Sequence, residues 1–129
     1  MAKESIKLAG QSGLAIAASV EGASDGMPVI LAHGGGQTHR AWKRVSTLLA
    51  SHGFHAIALD LRGHGNSEWA KDGAYDIADF AGDLIAIAAR LERKPALIGA
   101  SLGGLAGIMA EGHLAPGSFA SLTLVDITP

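Results

Sequence analysis

Three short, uninterrupted apolar runs restrict this chain more than any other feature, because each ends in a loop of glycine or charge and each is separated from the next by a stretch with helical periodicity. The runs cover residues 29–32 (Val-Ile-Leu-Ala), 55–60 (His-Ala-Ile-Ala-Leu-Asp) and 96–98 (Ala-Leu-Ile). None alternates with polar residues, so each suits a strand buried on both faces. Between the first two, residues 38–51 place Trp42, Val45, Leu48 and Leu49 at helical spacing, and Gly53 stops the helix. Asp76 reads as the N-cap of a second helix whose apolar stripe is Phe80, Leu84, Ile87, Ala88 and Leu91, with Pro95 beyond its end. Residues 102–111 read as a third helix, apolar almost all round and therefore expected to be buried. Residues 119–127 follow as a fourth parallel strand. Residues 6–9 and 14–20, divided by Gly10-Gln-Ser-Gly13, read as an antiparallel hairpin at the start. Strands alternating with helices require right-handed crossovers. The expectation is an α/β fold, with a mainly parallel sheet led by the hairpin and helices on both faces.

A chain of 129 residues is the size of one such unit with no linker. Hydrophobic residues at 48% and charged residues at 17% are too apolar a mixture for disorder. The longest clean apolar run, residues 84–89, is far short of the roughly 20 that a spanning helix needs, so no membrane partner is expected. The opening Met-Ala-Lys-Glu-Ser-Ile-Lys has no apolar stretch of the secretory kind, and a cytoplasmic location is the expectation. With no cysteine, disulfides, thiolate metal sites and cysteine nucleophiles are excluded, which leaves Ser, Thr or a carboxylate for covalent chemistry. Scattered charges summing to −2 argue against a nucleic-acid partner.

In sheets of this kind reactive groups collect at the carboxyl ends of the strands, here the loops that start at His33, Asp60, Gly99 and Asp126. Gly99-Ala-Ser101-Leu-Gly103 matches G-x-S-x-G directly after a strand and directly before a helix, the context that the motif requires. The turn is tight enough to strain the backbone at Ser101, and side chains two residues either side would clash, hence Gly99 and Gly103. Gly104 adds room for helix against strand. The Leu102 N–H and the helix N-terminus then face any negative charge that develops beside the hydroxyl. The competing account makes Ser101 a helix cap and the glycines packing devices. A dinucleotide fingerprint fails at position 101, and no Gly-Lys-Ser or Gly-Lys-Thr is present for a phosphate-binding loop.

His33-Gly-Gly-Gly36 stands after the strand 29–32 and before the helix that contains Trp42, where a second main-chain donor belongs; the competing account is a plain turn. His33 is read as bracing that loop through hydrogen bonds. His33, His64 and Asp60 match no metal-ligand spacing, so no metal site is expected. His39, His52, His55 and His113 read as surface residues.

Asp60-Leu-Arg-Gly-His-Gly-Asn-Ser67 is the third motif. With all three in this order, the chain resembles the N-terminal half of α/β-hydrolases of the epoxide hydrolase, haloperoxidase and C–C hydrolase type. The resemblance covers essentially all 129 residues but only about half of a family member. It implies strands 1 to 6 of the family's sheet, in a partial core domain (1–129) without the C-terminal strands or a cap domain. It also implies a hydrolase without a cofactor, in which Ser101 attacks the carbonyl of a small ester-like substrate through an acyl-enzyme. The oxyanion donors would be the N–H groups of Leu102 and Gly35, with Gly36 as the close rival. By the family's pattern Asp60 and Arg62 brace loops, and His64 is not the catalytic histidine.

Two departures follow from the same comparison. Epoxide hydrolases and haloalkane dehalogenases carry Asp where this chain has Ser101. The family's histidine belongs well beyond Pro129. Asp126 stands where some relatives place the triad acid, although most place it after the next strand; the competing role is structural, in the Val-Asp-Ile-Thr-Pro corner. The chain alone is therefore expected to be inactive, and its last strand to leave an apolar edge open to self-association or to a C-terminal half. The alternative function is a non-catalytic binding or interaction protein on the same scaffold.

Overall fold

The computed structural model describes residues 3–126. Strands β1 (Glu4–Ala9) and β2 (Ala15–Glu21) form the hairpin, with Ile6 opposite Ala18, around a 3-10 turn at Gln11–Gly13. β3 (Pro28–Ala32), β4 (His55–Leu59), β5 (Ala96–Ala100) and β6 (Ser121–Val125) follow. The six strands make one sheet in the order β1-β2-β4-β3-β5-β6. β2 meets β4 antiparallel, whereas β4, β3, β5 and β6 run parallel to one another. The expected α/β architecture is present, and β3 in its middle is buried at every residue, as an uninterrupted apolar run requires.

Alternate residues of the strands serve two cores. Val29, Leu31, Ala56 and Ala58 face Trp42 and helix α1 (Lys43–Ser51). Ile16, Ile30, Ile57, Leu59 and Leu97 face the opposite way, onto helix α2 (Ile77–Ala89), which contributes Phe80, Leu84 and Ile87, and helix α3 (Leu102–Met109), which contributes Ala106. Burying one such large side chain is worth about 1.5–3 kcal/mol, so a shift of one residue in any strand would forfeit several of them at once. α2 starts at Asp76, whose N–H donates to the Asp79 carboxylate at 3.0 Å, as in a capping box. Among the described residues, no helix is long and apolar enough to cross a membrane.

Three elements differ from the sequence expectation. The stretch 38–51 opens as a 3-10 turn (His39–Trp42), with the Thr38 hydroxyl accepting the Arg40 N–H, before α1 begins. In the same stretch Leu48 is exposed, because at 3.6 residues per turn it lies about 120° around the helix from Trp42, whereas Val45 and Leu49 stay on its side. α3 ends at Met109 in a π turn (Ala110–Leu114), and it is not buried all round. Its small residues Gly103, Gly104, Ala106 and Gly107 face the protein, while Leu105 and Ile108 stand 46% and 42% exposed. Close approach decides this: a Cβ on Gly107 would sit 2.9 Å from both Leu122 and Leu97. β6, finally, starts only at Ser121, after a buried Phe119; the predicted end at Ile127 lies outside the described residues.

Candidate functional site

At the carboxyl end of β5 the chain reverses into α3 through Ser101, whose φ of 50° and ψ of −112° are costly for a residue with a side chain. A conformation of that kind costs of order 1–3 kcal/mol and persists only when its surroundings impose it. Three main-chain hydrogen bonds do so: Ser101 N–H to Val125 O (3.3 Å), Leu105 N–H to Ser101 O (2.9 Å) and Gly103 N–H to His33 O (3.1 Å). The flanking glycines leave no choice of residue. A Cβ on Gly99 would lie 2.7 Å from the Gly103 backbone, and one on Gly103 would lie 2.2 Å from Ala32 O. Ser101 itself is exposed at the head of α3. Leu102, the first residue of that helix, has no hydrogen-bond acceptor for its N–H among the described residues.

The glycine triplet lies against this turn, since a Cβ on Gly34 would be 3.4 Å from Ser101 Cβ and one on Gly35 would be 3.9 Å from Leu102 Cδ2. Gly34 N–H donates to Gln37 Oε1 (3.1 Å), and Gln37 N–H returns to Gly34 O (3.1 Å). Gly36, at φ 78°, donates its N–H to His64 Nε2 (3.0 Å). Among the described residues the Gly35 N–H has no acceptor, so it is the free amide of the three. His33 is wholly buried and joins two loops: its Nε2 accepts Leu61 N–H (3.0 Å), and its Nδ1–H donates to Gly34 O (2.7 Å). Burial pushes the pKa of this ring below the ordinary imidazole value, with the Gly34 carbonyl offsetting part of the effect.

The segment after β4 is fixed almost atom by atom. Asp60, buried, accepts on Oδ1 from His39 N–H (2.7 Å) and His39 Nδ1 (2.8 Å), and on Oδ2 from Asn66 N–H (3.0 Å). Burial pushes its carboxyl up, but these donors outweigh burial and hold it below the usual carboxylate range. The Ser67 hydroxyl donates to Asp60 O and accepts Ala17 N–H (2.8 Å), which ties the loop to β2. Arg62 grips Asp83 of α2 with two bonds of 2.7 Å and donates to Ala74 O (2.8 Å). This fork keeps the guanidinium more firmly protonated than usual, through the Asp83 hydrogen bonds first of all. Two histidines depart from the surface expectation. His39 is the partner of Asp60, and His55 has a buried Nδ1 with no partner among the described residues, whereas His52 and His113 are exposed. The Asp60–His39 pair was missed because the partners are 21 residues apart, with no local spacing to announce them.

Asp126 is exposed at φ 53°, one residue past the Val125 carbonyl that takes the Ser101 N–H, so the ends of β5 and β6 put both residues at one rim of the sheet. Three of the histidines are already engaged: His33 with Leu61 and Gly34, His64 with Gly36 and Arg62, and His39 with Asp60.

A strand-turn-helix corner of this kind, on a sheet of this order, has counterparts among known proteins. A family model described as the alpha/beta hydrolase family matches residues 29–128. The chain is 39% identical to an esterase of Mycobacterium tuberculosis over 104 residues, which is 78% of this chain and 33% of that protein. It is 34% identical to a non-heme chloroperoxidase of Streptomyces lividans over 109 residues, or 84% of this chain and 39% of that one. The crystal structure of epoxide hydrolase A from Mycobacterium thermoresistibile superposes with a TM-score of 0.89 at 26% identity, covering 99% of this chain and 40% of its own. The chain belongs to the alpha/beta hydrolase family. It spans well under half the length of each of these three proteins.

Proposed function

We propose that residues 1–129 are the nucleophile-bearing part of a serine hydrolase core, acting on an ester-type carbonyl through an acyl-enzyme. The observation that carries this reading is the imposed backbone of Ser101 at an exposed corner, with the glycine triplet against the same turn and the Leu102 and Gly35 N–H groups unclaimed among the described residues. Ser101 would attack the carbonyl carbon, and those two N–H groups would stabilise the resulting oxyanion. Gly36 is the weaker candidate because its N–H is already given to His64. Gly99 and Gly103 make the elbow sterically feasible, and His33 braces the oxyanion loop. The general base belongs to sequence of the kind that longer relatives carry beyond this region. Asp126 is a candidate acid by position at the rim. No cofactor enters this scheme.

The test is covalent labelling with a fluorophosphonate. Labelling at Ser101 is expected to be slow in the 129-residue chain and about 10²–10⁴-fold faster once the chain is joined to the C-terminal region of the Mycobacterium tuberculosis esterase. Ser101→Ala should abolish it in both. Failure to label Ser101 in the joined, folded protein would overturn the reading. That result would favour the second one, a binding or interaction protein, which the exposed Leu105, Ile108, Leu124 and Val125 support.

A further inference from the structure

We infer that His64 is a positioning residue for the oxyanion loop, holding Gly36 in place so that Gly35 is left as the presented donor, and that this hold is released when the ring takes up a proton. The inference rests on the proposed role of residues 33–36. Nothing in that role, however, requires a particular residue at position 64.

The argument begins with donor and acceptor bookkeeping. A main-chain N–H can only donate, so the nitrogen facing Gly36, Nε2 at 3.0 Å, must carry a lone pair. The proton of a neutral ring is then on Nδ1, and there it meets the Arg62 carbonyl at 2.9 Å. A carbonyl can only accept, so the two contacts select one tautomer of one charge state. Arg62 is in turn immobilised by the fork to Asp83 on α2 and by the Ala74 carbonyl. The ring therefore inherits its place from α2 and passes it to the glycine loop, 28 residues earlier in the sequence.

Only one amide of the triplet remains available as a result. Gly34 is committed to Gln37 and Gly36 to His64, and without the second commitment neither Gly35 nor Gly36, both exposed, keeps a main-chain hydrogen bond among the described residues. Gly36 also sits at φ 78°, a conformation it adopts without a Cβ penalty and leaves as easily.

Protonation turns Nε2 into a donor that faces another donor, and the contact becomes repulsive. The groups around the ring do not take over this role. His33, whose ring centroid is 5.0 Å away, is kept neutral by burial, and Asp60 is occupied by His39 and Asn66. Arg62 and Asp83 neutralise each other. From α2 the nearest ring is that of Phe80, at 6.3 Å, and Tyr75 lies against Gly63. His64 itself is only half-buried, so a proton can reach it.

Nitrogen-15 NMR of the 129-residue chain tests this without any need for catalysis. The expected result is a neutral His64 protonated on Nδ1, with the Gly36 and Gly35 amide resonances titrating at the midpoint of the His64 ring. His64→Ala should abolish that titration and speed Gly36 amide exchange by about tenfold, the equivalent of one net hydrogen bond. His64→Gln offers an acceptor that does not titrate, so it should restore protection and leave the amides flat with pH. A Gly36 amide indifferent to His64 titration would overturn the inference, as would unchanged exchange in His64→Ala. If the alanine variant does not fold, the wild-type titration and the glutamine variant decide alone. An unlabelled Ser101 would sink the proposed function but leave these signals intact, so the two failures can be told apart.

Discussion

A methyl group at position 103 would lie 2.2 Å from the Ala32 carbonyl oxygen, whereas one at position 35 meets nothing closer than Leu102 Cδ2 at 3.9 Å. Gly103→Ala is therefore expected to destabilise the fold by about 1–3 kcal/mol or more in chemical denaturation, while Gly35→Ala leaves it unchanged. Gly35→Pro removes the free N–H, and in the esterase-joined protein it should slow fluorophosphonate labelling by about 10²–10³-fold. A third residue acts through pH. Because the folded state lowers the His33 pKa below its ordinary 6.5, the unfolded chain binds the extra proton first as pH falls. Stability is then full above 6.5 and declines on the acid side of it, well before Asp60, whose lowered carboxyl matters only below its ordinary 3.8. Denaturation midpoints from pH 7 to about pH 5 should fall in the wild type and flatten in His33→Gln; equal slopes would refute the assignment. The glycines at 99 and 103 could be read from sequence because their motif is a local steric requirement. The Asp60–His39 and Gly36–His64 contacts could not, since both are closed by the fold across 21 and 28 residues.

α3 shows what hydrophobicity does and does not disclose. Its residues are nearly all apolar, so composition calls for burial, yet the helix turns its glycines and alanines inward and leaves Leu105 and Ile108 outside. The physical reason is distance: with Gly103 packed against β3 and Gly107 between Leu97 and Leu122, only a surface nearly free of side chains fits. Small-residue spacing carried that information, and an apolar count did not. Leu105→Gln with Ile108→Gln is accordingly expected to change stability by no more than about 0.5 kcal/mol while improving solubility. Ala106→Leu, on the buried side, should cost about 1–3 kcal/mol by thermal or chemical unfolding. The short α1 teaches the same lesson in reverse, because Leu48 belongs to the right residue class and the wrong side of the helix.

Across the whole molecule the two sheet edges are unequal. β1 carries Glu4 and Lys7 along its outer rim, the kind of charge that discourages pairing, whereas β6 reads Ser-Leu-Thr-Leu-Val with Leu124 and Val125 exposed. Self-association through β6 should therefore appear as a concentration-dependent rise in mass by sedimentation, and Leu124→Lys should suppress it. A monomer at all concentrations would contradict this. Alternation of strands and helices made a mainly parallel sheet and an open last strand legible in the sequence, whereas the strand order that puts charged β1 at the opposite edge is visible only in the structure. β6 has one more bearing on the chemistry, because the Ser101 amide is held by the carbonyl of Val125. On a ribosome, which delivers the chain from its amino end, the corner at Ser101 is left unset until β6 has emerged and docked.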